Sequence, residues 1–227
     1  KKNYRTRCSA LISTKNSNTL IDTSPDLRLQ LIKEKIDNVD RVLYSHMHAD
    51  QTHGINDLRV FFIKNKKKLN VYGDKLTNKY LKKTFLYCFK DTKNYPAILK
   101  LNLIKKKMIF YDKKQKIEIT SIPVKHGSID CLSFIINKTL AYASDVNLIY
   151  RKDLNNFKNL KYLVIDCLRF SKHPAHYNLD EILELNKVLK PKKTILTNLH
   201  SDLDYNYLLN NLPNNVIPGY DGISFNI

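Results

Sequence analysis

Residues 45–54 read Ser-His-Met-His-Ala-Asp-Gln-Thr-His-Gly and follow the short apolar run Arg41–Ser45, which is typical of a buried strand. In an extended chain His46 and His48 project to the same side, and Asp50 comes at the next alternate position. Two imidazoles and a carboxylate around one volume are ligands that suit Zn²⁺, Fe and Mn²⁺. The stretch therefore predicts a metal site at the end of a strand.

The length and composition are those of one globular domain. Domains commonly hold roughly 100–200 residues, so we predict a single domain over residues 1–227. Charged residues make up 26% and hydrophobic residues 43% of the chain, which is ordinary for a globular protein. No run approaches the ~18 consecutive apolar residues of a membrane span, and we expect no membrane partner.

Cysteine and methionine usage bears on the compartment and on the start of the chain. The four cysteines are widely spaced without a C-x-x-C pair, which favours reduced thiols in a cytoplasm over a disulfide framework. The sequence opens on Lys1, and its only methionines are Met47 and Met108. We therefore expect a further N-terminal segment before Lys1.

The net charge of +18 is typical of proteins that bind nucleic acids or other polyanions. Only 7 of the 39 basic residues are Arg, however, and Asn occurs 24 times. Enrichment in Lys, Asn, Ile and Tyr without Trp is also typical of coding in an A+T-rich genome. The charge therefore favours anionic substrates in general and leaves an RNA partner open.

Strand-like and helix-like segments alternate along the chain. Short apolar or alternating runs predict strands, and apolar residues at helical spacing predict helices. The predicted strands are Cys8–Ser13, Asn18–Asp22, Arg41–Ser45, Leu69–Gly73, Lys116–Val124, Leu132–Ile136, Leu140–Ala143, Tyr162–Ile165, Thr194–Leu196 and Ile223–Ile227. The predicted helices are Pro25–Ile36, Asn56–Ile63, Lys75–Phe89, Leu179–Leu189 and Asp204–Leu209. This order predicts two sheets with helices packed outside them.

The H-x-H-x-D pattern and the glycine of residues 46–54 resemble the signature of the metallo-β-lactamase-fold metallohydrolases. The resemblance spans residues 8–227, because four further motifs follow the family's order, namely Leu20–Thr23, Val124–Gly127, Tyr142–Asp145 and Thr197–His200. It implies an α/β fold, the αββα four-layer sandwich in which helices flank two mixed sheets.

The same resemblance implies a centre of two divalent ions, Zn²⁺ or Mn²⁺. The implied ligands are His46, His48, Asp50, His126, Asp145 and His200. Asp145 would bridge the two ions, and His200 would belong with Asp50 to the second site. Asp22 would hold a ligand imidazole in its metal-binding tautomer.

One position departs from the family pattern, because Gln51 stands where the family usually has His. An amide oxygen is a harder and weaker donor than an imidazole nitrogen. We therefore expect the second site to bind its ion more weakly, or to favour Mn²⁺ or Fe²⁺ over Zn²⁺. On a helix His53 would share a face with Asp50, so His53 is either a compensating ligand or a residue that faces the ligands or the substrate.

Three segments narrow the resemblance to the phosphodiesterase branch, which includes a cyclic phosphate phosphodiesterase of phosphonate breakdown and the tRNA 3′-processing endonuclease. They are Arg7–Ile12, Ile21–Arg28 and Gly54–Arg59. Members carry a strand and a Gly-rich loop before the position of Arg7, which we expect upstream of this sequence. The branch implies catalytic roles for Asp166 and His176. From the residues alone, Asp166 is equally a cap of the next turn, and His176 a surface residue.

The expected function is a metal-dependent phosphodiesterase acting on small cyclic or nucleotide phosphodiesters, because no basic Gly/Pro-rich insertion for gripping tRNA is visible. His176 would protonate the leaving oxygen or bind the phosphate, and Asp166 would assist by orientation. An RNA-processing nuclease and a non-hydrolytic nucleotide-binding protein with a degraded second site are the alternatives. β-Lactam or thioester hydrolysis is not favoured, because those branches lack the Asp57–Arg59 feature. A homodimer stays open.

Overall fold

The computed structural model describes residues 2–113 and 115–227. Contacts divide the chain into two compact units, each built on one mixed sheet. The N-terminal unit contains Thr6–Lys105 and a short piece around Asp112. The C-terminal unit contains Lys116–Ile227, Lys106–Tyr111 and residues 2–5. Two mixed sheets with helices confirm the predicted α/β class.

The N-terminal unit has a five-stranded sheet in the order β1-β2-β3-β4-β5, in which β1 and β2 are antiparallel and the other pairs are parallel. Its strands are β1 Ala10–Ser13, β2 Asn18–Ile21, β3 Arg41–Leu43, β4 Leu69–Gly73 and β5 Leu99–Leu103. Its helices are α1 Leu27–Lys33, α2 Ala49–Thr52, α3 Arg59–Asn65, α4 Lys75–Thr84 and α5 Leu86–Phe89, with a 3-10 helix at Ile55–Leu58. Apolar side chains of sheet and helices, among them Val42, Val71 and Leu81, form one buried cluster.

The C-terminal unit has a seven-stranded sheet in the order β12-β11-β10-β9-β8-β7-β6. Its strands are β6 Lys107–Asp112, β7 Gln115–His126, β8 Ile129–Ile136, β9 Leu140–Ala143, β10 Tyr162–Asp166, β11 Lys193–Thr197 and β12 Val216–Pro218. Its helices are α6 Leu179–Leu189 and α7 Tyr205–Asn211, with a 3-10 helix at Leu154–Phe157. Phe157, Ile165 and Leu196 lie in its fully buried core.

The parallel strands decide where polar side chains gather. β9, β10 and β11 are neighbours that run in the same direction, so the segments after Ala143, Asp166 and Thr197 leave the sheet at one edge. In the N-terminal unit β2 and β3 likewise end side by side, at Ile21 and Leu43. Sites in α/β proteins commonly lie at the carboxyl ends of parallel strands. Most of the predicted site residues follow these strand ends.

The predicted final strand Ile223–Ile227 is wrong, because the last strand of the described chain is β12, which pairs with β11. The alternating apolar residues of the C-terminus pack outside the ladder. Phe225 stacks on the ring of Tyr162 at 4.9 Å between ring centroids. Alternation over so few residues therefore reflects one ring contact here and not strand pairing.

Two strands and two interruptions also differ from the prediction. β5 and β6 were not predicted, because lysines interrupt their apolar runs. Each is the outermost strand of its sheet. Exposed lysines on such strands commonly protect a sheet against pairing with another chain. The helix predicted at Asn56–Ile63 is a 3-10 turn followed by α3. The helix predicted at Lys75–Phe89 breaks at Phe85, where φ is −118° and ψ is 40°.

The longest helix of the described residues is α6, with 11 residues. Among these residues every helix is too short or too polar to cross a membrane. α6 begins with a capping box, in which Oδ1 of Asn178 accepts from N of Glu181 at 2.9 Å. The Glu181 carboxylate accepts in return from N of Asn178 at 3.0 Å. Both contacts satisfy amides that the helix itself leaves without a partner.

Replacing Asn178 with alanine is expected to lower the free energy of unfolding by about 0.5–2 kcal/mol, the usual effect of removing an N-cap side chain. Urea denaturation measures this change. Asn210→Ala on the exposed face of α7 is the matched control and should stay within about 0.5 kcal/mol of the parent. Equal stability of the two variants would contradict the capping role.

Candidate active site

The loop after β3 carries the first predicted ligands. His46 is buried and His48 is exposed, and Nε2 of His46 lies 3.0 Å from Nδ1 of His48. The Ser45 hydroxyl lies 3.0 Å from Nδ1 of His46. Asp50 follows, half-buried, in the first turn of α2. We call residues 45–54 the His46 loop.

Asp22 supports the backbone of the His46 loop. It follows β2 in the left-handed region, with a φ of 61°, and its side chain is fully buried. Its Oδ1 accepts a hydrogen bond from N of Ser45 at 2.7 Å. This contact holds the backbone directly before His46, whereas the predicted role of Asp22 in setting an imidazole tautomer stays a prediction.

Gln51 is fully buried in α2. Its Nε2 donates to Oδ2 of Asp50 at 3.1 Å, and its backbone carbonyl accepts from N of Thr23 at 2.8 Å. The amide therefore orients the Asp50 carboxylate without neutralising it, and the backbone ties the His46 loop to the turn after β2.

His53 points to a different neighbourhood. Its Nε2 lies 3.2 Å from the Tyr80 hydroxyl, and its ring meets the ring of Phe85 edge to face at 5.5 Å. His53 is exposed and lies against α4 and its C-terminal cap. The described contacts do not gather it with the other predicted ligands.

Gly54 allows the His46 loop to approach the turn after β2 closely. Its N donates to O of Thr23 at 2.9 Å, and an added Cβ would lie 2.0 Å from the carbonyl oxygen of Ser24. A backbone oxygen cannot move aside as the end of a flexible side chain can. A side chain at this position therefore requires the two segments to separate.

We expect Gly54→Ala to lower the free energy of unfolding by about 1–3 kcal/mol, as overpacking does, and to weaken metal binding by displacing the His46 loop. Urea denaturation and metal titration measure the two effects. Gly73→Ala is the matched control, because its added Cβ would first meet the terminal oxygen of the Asn78 side chain, at 2.8 Å. Similar losses in both variants would show that Gly54 has no special role.

In the C-terminal unit three predicted residues come together. His126, Asp145 and His176 each present a ligand atom within 4.8 Å of the others. His126 and Asp145 are buried, and Nδ1 of His126 lies 2.8 Å from O of Ala175. A carbonyl oxygen only accepts, so Nδ1 of His126 carries the proton and Nε2 keeps its lone pair for a metal ion. The donor set fits a divalent transition metal.

Asp166 and His176 form a tight pair. Oδ2 of Asp166 lies 2.6 Å from Nδ1 of His176 and also accepts from N of Val146 at 2.9 Å. The Asp166 carboxylate is fully buried, and 14% of the His176 side chain is exposed. Asp166 thus orients the imidazole and holds the backbone next to Asp145. The Asp166 side chain therefore contacts the candidate site, in addition to standing at the end of β10.

His200 lies on the loop after β11. Its side chain is 60% exposed, and its Nδ1 lies 3.0 Å from Oδ1 of Asp202. Arg5 holds the same loop by donating to the carbonyl oxygens of His200, at 3.2 Å, and Leu203, at 2.7 Å. The pairing with Asp202 leaves Nε2 as the nitrogen that could bind a metal ion, and the predicted ligand role of His200 stays a prediction.

Asn198 is the residue of that motif that reaches the group. Its Nδ2 lies 3.4 Å from Oδ1 of Asp145 and 3.4 Å from Oδ1 of Asp166. The sequence interpretation missed it because it took the histidine of Thr197–His200 as the ligand. The available signal was position, because Asn198 is the first residue after β11.

His173 is the other histidine near His176, with 5.0 Å between the two ring centroids. Its Nδ1 accepts from N of Ala175 at 3.2 Å. Burial, followed by the effects of His176 and Arg169, lowers the pKa of His173. The lowered pKa favours the neutral ring, which lies beside the ring of His176.

Comparison with known proteins agrees with this geometry. Residues 17–198 match the β-lactamase superfamily domain. The chain therefore belongs to the β-lactamase superfamily and has the metallo-β-lactamase fold. This confirms the family that the five motifs predicted.

Two solved structures and one curated relative are similar to the chain. A new diphosphatase from the PhnP family is 26% identical, with a TM-score of 0.87, over 97% of this chain and 84% of that chain. The short form of human tRNase Z is 14% identical, with a TM-score of 0.73, over 97% of this chain and 93% of that chain, and shares the fold. An octanoyltransferase of Porphyromonas gingivalis strain W83 is 30% identical over 96% of this chain. The chain spans 44% of that relative's length, so the activity of the relative is not assigned to this chain.

Proposed function

We propose that the protein is a metal-dependent phosphodiesterase that acts on small cyclic or nucleotide phosphodiesters. The observation that carries the proposal is the buried ligand pair of His126 and Asp145 beside the Asp166–His176 pair. A metal ligand set next to an oriented imidazole is what hydrolysis of a phosphodiester requires. The likeness to a PhnP-family diphosphatase supports the substrate class.

We propose that the His46 loop supplies metal ligands, as the family resemblance implies. The proposed ligands are His46, His48, Asp50, His126, Asp145 and His200. The centre would take two divalent ions, Zn²⁺ or Mn²⁺, the second bound more weakly because Gln51 offers an amide. When bound, such ions supply Lewis acidity that makes water nucleophilic near neutral pH and attract phosphate oxygens.

The residues of the chain would orient the ligands and handle the proton of the leaving oxygen. Asp166 accepts from Nδ1 of His176, so Nε2 of His176 is the nitrogen left to hold or deliver a proton to the leaving oxygen. The proton on Nδ1 of His126 keeps Nε2 available as a ligand. Asp22 keeps the backbone of the His46 loop in place.

The test is a panel of phosphodiesters with the metal-loaded protein. Protein stripped with a chelator and reloaded with Zn²⁺ or Mn²⁺ should hydrolyse 2′,3′-cyclic nucleotides or bis(p-nitrophenyl) phosphate. His126→Ala should lose both metal and activity. A loaded protein of verified metal content that cleaves no member of the panel would overturn the proposal.

An RNA-processing nuclease is the second candidate, and the net charge of +18 favours it. Structured RNA in the same panel distinguishes the two. Cleavage confined to RNA, at a rate that falls steeply with salt, would indicate the nuclease. Cytoplasmic location and homodimer formation stay predictions.

A further inference from the structure

Asn198 fills a position where acceptor atoms converge. It follows β11 in the left-handed region, with a φ of 60°. Its Nδ2 lies 3.3 Å from O of Ser144, in addition to its two carboxylate neighbours, Asp145 and Asp166. Nδ1 of His176 also lies 3.4 Å from it. Three acceptor oxygens thus surround a single amide nitrogen, whereas Nδ1 of His176 carries the proton that it donates to Asp166.

Hard cations bind preferentially to oxygen ligands such as these. Asp145 and Asp166 are both buried, with 2% and 0% of their surfaces exposed, so their carboxylates are poorly solvated and depend on the polar groups around them. Carboxylate and carbonyl oxygens are typical ligands of Mg²⁺, Ca²⁺ and Mn²⁺. Here two N–H groups of a neutral amide face the oxygens instead.

The amide also connects two functional groups. Asp145 belongs to the ligand group, and Asp166 orients His176. One side chain that lies next to both carboxylates holds them at a set separation. The His200 side chain is 60% exposed and pairs with Asp202, so Asn198 is the residue of this motif with the described contacts to both carboxylates.

We propose that Asn198 is a positioning residue that, in addition to Gln51, weakens binding of the second metal ion, because its amide holds Asp145 and Asp166 in hydrogen bonds that this ion must replace. The chain then retains one tightly bound ion, and a second ion must displace the amide from its hydrogen bonds. The effect of Asn198 on the reaction rests on the proposed function. The number of metal ions that the chain retains does not.

The experiment counts metal ions per chain in the full-length protein after dialysis against limiting Zn²⁺ or Mn²⁺. The parent should retain one ion. Asn198→Asp should retain two, because a third carboxylate replaces the neutral donor. Asn210→Asp, with the same charge change on the exposed face of α7, should retain one.

Thermal unfolding of each variant checks the fold. If Asn198→Asp does not fold, Asn198→Ser, which removes the amide without adding charge, should bind a second ion at least about tenfold more tightly than the parent. Two equally tight ions in the parent, or an unchanged second affinity in a folded Asn198 variant, would overturn the proposal. Failure on the phosphodiester panel with these metal counts intact would overturn the proposed function alone.

Discussion

Replacing His176 with alanine is expected to lower kcat by about 10²–10⁴-fold, the usual contribution of a general acid or base, while metal content stays the same. The imidazole is held by the buried Asp166 carboxylate at 2.6 Å and lies beside His126 and Asp145. A ring this well oriented can deliver a proton without rearranging. Steady-state kinetics on a cleaved phosphodiester, with elemental analysis of the same samples, measures both quantities.

His173→Ala is the matched control, because His173 lies on the same loop with its ring 5.0 Å from that of His176. Its kcat should stay within a few fold of the parent. Loss of a metal ion in His176→Ala would show that His176 is a ligand instead of a proton donor. Unchanged turnover with unchanged metal would reduce it to a surface residue.

Gln51→His is expected to tighten binding of the weaker metal ion by about 10–100-fold, the scale on which residues around a metal site change its affinity, and to shift its preference toward Zn²⁺. The physical reason is that imidazole nitrogen is a stronger donor to Zn²⁺ than an amide oxygen. Gln51 is buried next to Asp50, so a histidine there would add its nitrogen beside a ligand carboxylate. Titration of the stripped protein should show one tight and one weak step in the parent.

His46→Ala separates the two steps, because it should disturb the tight step and leave Gln51 in place. Thermal unfolding of Gln51→His checks that the buried position accepts the ring. Two equally tight steps in the parent would contradict the argument, because another group would then replace the missing imidazole.

Local sequence patterns predicted much of the fold. α6, β4 and β9 are observed with the predicted bounds. α6 has apolar residues at helical spacing after an N-cap residue, and β9 follows the tight turn at Asn137 and Lys138. The edge strands β5 and β6 were missed because exposed lysines interrupt their apolar runs. Edge strands need fewer buried side chains than central ones, so their pattern is weaker.

The sequence by itself determined the family, the α/β class and the cluster of histidines in the His46 loop, because short-range spacing encodes each of them. The tertiary structure decided which side chains meet. Asn198 contacts Asp145, whereas the His200 side chain is 60% exposed and pairs with Asp202, although the two residues are two apart and alternation would place them on one side. The left-handed backbone at Asn198 breaks the extended alternation, so His200 turns to solvent. Pairing Asp166 with His176 likewise depends on the path of the nine residues between them, which no local pattern encodes.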